Sequence, residues 1–213
     1  DGDDAVRLGL GARYLVYPGR FDARQDLGTL LRALAALAAA GRPDDLPDGV
    51  AWPPRVLLVG ASPDDRASLA RAATRQGVGE SLAYAPTLPE TRLAALFRGA
   101  RAVLLPALSD TAGLTAVEAI ASGIPLVASA VGALPELIGP AGLLVPPRDV
   151  ERLAVALRTV WADDQLHGRI AAAARERAVT DQRTWAEVAE STRRVYADVG
   201  TSGRGGARPL PPG

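Results

Sequence analysis

The sequence predicts an α/β fold, a doubly wound parallel sheet of about six strands with helices on both faces. Short apolar runs alternate along the chain with longer stretches in which apolar residues recur at helical spacing. Several of the apolar runs end on Gly or Pro, which favour turns. Because sheets of this kind bind ligands where the carboxyl ends of their strands gather, the loops after the strands are the expected place for a site.

Three strands and three helices are predicted in the first half of the chain. The strands are expected at 14–18, 55–59 and 81–85. The helices are expected at 26–40, 63–76 and 89–98. The first helix rests on leucines that share one helical face and ends at Gly41, and the second is capped by Ser62. The loop 42–54 is rich in Pro, Asp and Gly, which indicates an exposed insertion.

The second half of the chain completes the sheet. Further strands are predicted at 102–105, 126–128 and 142–145, followed by two or three helices within 149–199. The last segment, 201–213, has the Gly- and Pro-rich composition of a disordered tail. We therefore expect residues 1–200 to form one domain. The sequence opens on DGDD without a methionine, and we expect a further domain to precede it.

The most informative stretch is PALSDTAGLTAVEAIASGIPLVAS, from Pro106 to Ser129. It predicts a strand end, a loop, a helix N-terminus and a second strand, with Asp110 and Glu118 at the two ends of the loop and first helical turns. The N-terminus of a helix attracts phosphate, and carboxylates accept hydrogen bonds from sugar hydroxyls. A nucleotide sugar offers both kinds of group. Each carboxylate also has a structural alternative. Glu118 would be buried and accept hydrogen bonds from neighbouring backbone N–H groups, and Asp110 would cap the loop.

A second candidate is the loop after the first strand, which contains Gly19 and Arg20. Gly at a strand end lets the backbone approach a ligand closely, and Arg offers planar, bidentate donors to a diphosphate. The alternative is a turn in which Arg20 pairs with Asp22 or Asp26.

Composition excludes several classes of site. The 213 residues contain no Cys, and all 24 basic residues are Arg, scattered along the chain and balanced by 24 acidic residues. Disulfides, thiolate metal sites and a basic nucleic-acid stripe are therefore not expected. The single histidine, His167, is predicted to be an ordinary surface residue, so neither a histidine zinc site nor a hydrolase triad is expected. Walker and dinucleotide fingerprints are absent, and no apolar run approaches the length of a membrane span.

Several segments together resemble a known family. YLVYPGRFDARQDLGTLLRAL, RVLLVGAS and PALSDTAGLTAVEAIASGIPLVASAVGALPELIGPAGLLVPPRD are similar to the C-terminal half of retaining glycosyltransferases of the GT-B fold in family 4, the glycosyl transferases group 1. The resemblance covers about Tyr14 to Ala178. It implies a Rossmann-like domain that binds the nucleotide sugar and faces an acceptor-binding N-terminal domain that this chain lacks.

The resemblance also implies roles for individual residues. Glu118 would bind the ribose hydroxyls, and Asp110 would face the transferred sugar. Arg20, beside Gly19, would bind the diphosphate and offset charge on the leaving group. The amides around Ala112, Gly113 and Leu114 would cradle the phosphates.

The implied enzyme belongs to EC 2.4 and needs no metal or other cofactor. Its partners would be the nucleotide sugar and an acceptor sugar or lipid held by the N-terminal domain. The protein would be cytoplasmic or, as an alternative, the full-length protein would be bound peripherally to a membrane. The isolated chain would be inactive.

Some positions depart from the family pattern. Gln25 stands where the family has a phosphate-binding lysine, and Asp110 stands where it has a glutamate, followed by Thr111 and Ala112 in place of Gly and an aromatic residue. Two family glycines are replaced, by Pro86 and Ala133. These differences leave open an alternative function, a degenerate domain that binds nucleotide weakly or serves as a structural or interaction module.

Overall fold

Six short strands form the centre of the molecule, and each is built from one of the apolar runs in the sequence. The computed structural model describes residues 13–180 and 184–202. The strands are β1 (Leu15–Pro18), β2 (Val56–Val59), β3 (Leu82–Ala85), β4 (Ala102–Leu105), β5 (Leu126–Ser129) and β6 (Gly142–Val145). Each lies within about one residue of its predicted bounds, because short buried runs leave little freedom in where pairing starts.

Helices follow the strands at the predicted places, and one further short helix, Leu134–Ile138, lies where none was predicted. The helices are α1 (Leu27–Ala40), α2 (Pro63–Arg75), α3 (Glu90–Gly99), α4 (Leu114–Ala121), α5 (Leu134–Ile138), α6 (Val150–Ala162), α7 (Asp164–Thr180) and α8 (Trp185–Ser202). The cap predicted for α2 is confirmed. Ser62 accepts from the backbone N–H of Asp65 at 3.1 Å, and the Asp65 carboxylate accepts from the backbone N–H of Ser62 at 3.3 Å.

The sheet is parallel throughout and has the order β3-β2-β1-β4-β5-β6. This is the strand order of a Rossmann-like fold, which winds outward from β1 on both sides. The predicted doubly wound sheet is thereby confirmed. The order reverses between β1 and β4, so the crossover helices of the two halves lie on opposite faces.

Two apolar layers cover the sheet, one on each face. Neighbouring strand residues point to opposite faces, so Leu15 and Tyr17 of β1 join one layer while Val16 joins the other. The first layer contains residues of α1, α2 and α6, and the second contains residues of α3, α4, α5 and α7. Trp161 of α6 is fully buried, and its indole N–H donates to the Ala51 carbonyl at 2.9 Å. Both faces of the sheet are therefore closed to water, and a ligand site is left to the strand ends.

The described residues fall into two compact units, 13–179 and 180–202 with its gap at 181–183. The second unit holds α8, whose exposed apolar side chains include Trp185, Val195, Tyr196 and Val199. This helix reaches Ser202, two residues into the segment predicted as a disordered tail. The rest of that tail, 203–213, lies outside the described residues, and the boundaries of the predicted domain remain predictions.

The prediction for His167 is wrong, because the ring is half-buried and hydrogen-bonded instead of lying on the surface. Its Nε2 lies 2.8 Å from the Arg101 carbonyl oxygen, so this nitrogen carries a proton and donates. Burial lowers the pKa of His167 below its ordinary value, and this effect outweighs the hydrogen bond, which acts in the opposite direction. His167 therefore joins α7 to the amino end of β4, at the edge of the sheet away from the ligand loops.

Candidate functional site

The loops after β1 and β4 meet where the strand order reverses. β1 pairs with β2 along all four residues but with β4 only over its first two, so β1 and β4 separate toward their carboxyl ends. After β1 the chain turns toward one face of the sheet, and after β4 it turns toward the opposite face. The two loops therefore diverge and leave a crevice between them. The loops are joined there, because the Leu108 N–H donates to the Arg24 carbonyl at 2.7 Å. The two predicted parts of the site therefore lie side by side.

The loop after β1 is held in place by Tyr17. The ring is buried, and its hydroxyl donates to the carbonyl oxygen of Arg20. Burial, with a smaller effect of Asp22, raises the pKa of Tyr17 above its ordinary value, so the hydroxyl stays protonated and acts as the donor. The Arg20 side chain is exposed and has no hydrogen-bond or ion-pair partner among residues 13–180 and 184–202.

Asp22 pairs with Arg24 instead of Arg20. The Asp22 carboxylate accepts from Arg24 Nη2 at 2.9 Å and from the Arg24 backbone N–H at 2.9 Å, which caps the 3-10 turn Ala23–Gln25. Hydrogen bonds from Arg24, and to a smaller degree the charge of Arg20, lower the pKa of Asp22. The alternative in which Arg20 pairs with Asp22 or Asp26 is therefore wrong, and the Arg20 guanidinium is available to a ligand.

Gln25 lies against the protein at this loop, with its amide 3.4 Å from the Tyr17 hydroxyl. The Tyr17 hydroxyl donates its one proton to the Arg20 carbonyl, so toward Gln25 it can only accept a hydrogen bond. The Gln25 side chain must therefore turn its amide nitrogen, and not its oxygen, toward the hydroxyl. The next residue, Asp26, enters α1 from left-handed backbone with φ 46°, and its Oδ2 is buried with no hydrogen-bond partner in the described part of the chain. Neither Tyr17 nor Asp26 was a candidate from sequence, although a tyrosine within a buried run signals a hydroxyl that needs a partner.

The loop after β4 is closed by Asp110. Its Oδ1 accepts a hydrogen bond from the Gly113 N–H at 2.6 Å, so the half-buried carboxylate caps the turn that leads into α4. This is the contact expected of the loop-capping alternative. That Asp110 faces the transferred sugar stays a prediction.

Of the three backbone donors expected at the start of α4, the Gly113 N–H is already bonded to Asp110. Gly113 enters the helix with φ 62°, and its carbonyl accepts from the Val117 N–H at 3.0 Å. The amides of Ala112 and Leu114 have no acceptor within the described ranges, as expected at a helix N-terminus. These amides, with the partial positive charge of the helix end, suit an anion.

Glu118 is exposed, not buried among alanines as the structural alternative requires. It lies one turn after Leu114, which is 71% exposed, so both belong to the open side of α4. Its carboxylate has no hydrogen-bond or ion-pair partner in the described residues. The alternative in which Glu118 is a buried structural acceptor is therefore wrong, and the carboxylate is exposed one turn into α4.

The two substituted glycine positions occupy other strand-end loops. Pro86 is exposed directly after β3, and Ala133 is the N-terminal cap of the short helix α5. The backbone at Ala133 is right-handed (φ −79°, ψ −13°), a conformation that alanine adopts without strain. The loss of glycine at this position therefore leaves the turn intact.

Two further observations concern the whole described chain. Over residues 13–180 and 184–202, no group of three or more His, Asp or Glu is placed to hold a metal ion. No helix in these same ranges combines the length and the apolar character needed to cross a membrane.

Comparisons with known proteins match this architecture. The family model for glycosyl transferases group 1 matches residues 12–163. A glycogen synthase from Mycobacterium tuberculosis is 32% identical over 220 residues, which cover 99% of this chain and 50% of the relative. Another relative, the D-inositol 3-phosphate glycosyltransferase 1 of Catenulispora acidiphila, is 34% identical, with 96% of this chain and 49% of the relative covered.

Solved structures share the fold. The sucrose-phosphate synthase tll1590 of Thermosynechococcus elongatus superposes with a TM-score of 0.72 at 28% identity, covering 95% of this chain and 49% of that one. Anabaena Alr3699/HepE, solved in complex with UDP, gives a TM-score of 0.70 at 23% identity, covering 94% of this chain and 52% of the other. The chain thus spans about half the length of the proteins it matches. It belongs to the glycosyl transferases group 1, and it corresponds to the C-terminal half of their GT-B fold.

Proposed function

We propose that this chain is the donor-binding half of a retaining glycosyltransferase, which moves a sugar from a nucleoside-diphosphate sugar to an acceptor. The observation that carries the proposal is an exposed Arg20 on one loop and amides at the start of α4 on the other, all without partners in the part of the chain that the structure describes. These groups lie on two loops joined by a backbone hydrogen bond at the reversal point of the sheet. A cation and a helix N-terminus at one crevice suit a diphosphate.

Each part of the donor then has a protein group of matching chemistry. Arg20 binds the diphosphate through its planar fork and stabilises the negative charge that grows there as the glycosidic bond breaks. The amides of Ala112 and Leu114 bind further phosphate oxygens. Glu118, exposed and unpaired in the described residues, accepts hydrogen bonds from the ribose hydroxyls. The acceptor and the remaining catalytic groups come from the other half of a full-length protein, so this chain alone binds the donor without turnover.

A second function is favoured by a specific observation. Two of the residues that differ from the family pattern are engaged with the protein: Gln25 lies against Tyr17, and Asp110 accepts a hydrogen bond from Gly113. A site whose polar groups satisfy one another binds ligands less tightly, because the ligand must displace those bonds. The alternative is therefore a degenerate domain with weak nucleotide binding and a structural or interaction role.

Calorimetric titration separates the two functions. UDP, GDP, ADP and their glucose or mannose conjugates are titrated into the 213-residue chain, then into Arg20→Ala and Glu118→Ala. Donor binding predicts a micromolar to millimolar Kd that each variant weakens at least about tenfold, the usual size of a lost charge-assisted hydrogen bond. Arg71→Ala on α2 and Glu80→Ala at the amino end of β3 are matched controls, exposed residues away from the crevice. Absence of heat with every nucleotide at millimolar concentration would overturn donor binding and leave the alternative.

A further inference from the structure

The loop that carries Asp110 lies against the segment that joins β5 to α5. Gly132 in that segment has φ 54°, and its backbone touches the backbone of Asp110. A Cβ placed on Gly132 would overlap the Asp110 carbonyl oxygen and lie 2.8 Å from the carbonyl carbon. Since backbone atoms have no rotamer by which to escape, any side chain at this position displaces one of the two loops.

The other end of the same loop also rests on this region. Gly113, buried with φ 62°, lies against Leu137 and Leu134 of α5, and a Cβ on Gly113 would overlap the Cδ1 of Leu137. Leu134 is fully buried in the core, so α5 is anchored to the sheet. The turn between Asp110 and Gly113 is thus supported at both ends by the β5–α5 segment, a contact between parts of the chain about twenty residues apart.

These two contacts hold the turn that leads into α4, where the amides of Ala112 and Leu114 have no acceptor within the described residues. We propose that Gly132 is a positioning residue for nucleotide binding: it lets the β5–α5 segment hold the turn from Asp110 to Gly113 in the conformation that presents the amides of α4. The part of this proposal that concerns nucleotide rests on the proposed function. The part that concerns the turn stands on the contacts alone.

Gly123 offers a matched control for the effect of a side chain at a strained glycine. It has φ 70°, and a Cβ there would lie 2.8 Å from the Arg175 Cγ, so Gly123→Ala brings similar backbone strain and a milder clash, against a side chain instead of backbone. It follows the last turn of α4, at the end of the helix opposite the crevice. A merely structural role predicts that Gly132→Ala, like Gly123→Ala, lowers stability without a specific effect on the turn at Gly113 or on nucleotide binding.

The test uses two readouts on the 213-residue chain. The first is amide hydrogen exchange of Gly113 by NMR, since its N–H is bonded to Asp110 at 2.6 Å. The second is the Kd for UDP, GDP and ADP. Gly132→Ala is expected to lower the protection of the Gly113 amide and weaken nucleotide binding, each by about tenfold or more. Gly123→Ala is expected to lower the melting temperature and leave both readouts at wild-type values.

Leu137→Ala keeps the proposal testable if Gly132→Ala does not fold. It removes the side chain that packs against Gly113 and adds no backbone strain. The protection of the Gly113 amide and the nucleotide affinity are both expected to fall, but by less than in Gly132→Ala. Unchanged Gly113 protection in the folded variants would overturn the positioning role. Loss of protection together with unchanged nucleotide affinity would overturn its link to binding. If wild-type chain binds no nucleotide, the proposed function fails, while the Gly113 amide still decides whether Gly132 positions the turn.

Discussion

The carboxylate of Asp110 accepts a hydrogen bond from the Gly113 amide at 2.6 Å, directly before the first turn of α4. This amide belongs to the set that the family resemblance assigns to phosphate. A carboxylate bonded there does two opposing things. It orders the turn, and it brings a negative charge to the place where a diphosphate would bind.

Replacing Asp110 separates these two effects. Asp110→Asn keeps an oxygen that can accept from Gly113 but removes the charge, so nucleotide binding is expected to tighten about fivefold, as for a surface charge pair worth about 1 kcal/mol. Asp110→Ala removes the cap as well and is expected to bind more weakly than Asp110→Asn. Calorimetry with UDP, GDP and ADP measures both. Asp149→Asn is the control, because Asp149 caps α6 in the same way through the Arg152 N–H at 2.9 Å. Weaker binding by Asp110→Asn would instead indicate that the ligand needs the charge.

Gln25 is the position at which one substitution is expected to strengthen the site. Gln25→Lys adds a cation beside the loop of Arg20, and a charge-assisted hydrogen bond to a phosphate is worth about 1.5–3 kcal/mol, or about ten- to a hundredfold in Kd. The gain should shrink as salt is raised, because exposed charges are screened. Titration at low and high ionic strength checks both statements.

A control for added charge is Gln165→Lys on the exposed part of α7. It changes the net charge of the chain equally and is expected to leave the Kd unchanged. Equal affinity of wild type and Gln25→Lys for every nucleotide would show that residue 25 does not reach the phosphates.

The Tyr17 hydroxyl links the core to the Arg20 loop. Tyr17→Phe removes the donor to the Arg20 carbonyl, so the free energy of unfolding is expected to fall by about 1 kcal/mol and nucleotide binding to weaken as the loop loosens. Tyr14→Phe is a close control, directly before the same strand. Tyr14 is also buried and donates to a carbonyl, that of Leu96 at 2.8 Å, but at the amino end of the sheet. Urea unfolding and calorimetry distinguish the two, since only Tyr17→Phe should change the Kd.

Local sequence patterns were enough to predict the sheet, most element bounds and the cap at Ser62. Strands of this chain are short buried runs, and their helices carry one-sided apolar patterns, so each signal lies within a few neighbouring residues. The contacts that shape the site are of another kind. Gly132 against Asp110 and Leu108 against Arg24 join loops from different strands, and no local pattern encodes the backbone approach. The exposure of Glu118 likewise depends on how α4 lies on the sheet.

His167 predicts how stability depends on pH. Burial lowers the pKa of His167 in the folded protein, with the charges of Arg101 and Arg13 acting in the same direction and the charge of Asp164 opposing them. The unfolded chain titrates near the ordinary histidine value of about 6.5, so below this pH the unfolded state binds the proton first. The contribution of His167 is therefore fully present above about pH 6.5 and is lost as the pH falls toward the lower folded pKa.

The measurement compares urea unfolding of wild type and His167→Gln at about pH 7.5 and about pH 5.5, on either side of the ordinary histidine pKa. Glutamine retains an amide donor for the Arg101 carbonyl but does not titrate. Because the two chains share all carboxylates, subtracting their pH-dependent losses isolates the histidine. Wild type should lose more stability on acidification than His167→Gln. The difference should not change with nucleotide, since His167 lies at the amino end of β4, away from the crevice. Equal losses in both chains would mean that His167 titrates alike in the folded and unfolded states.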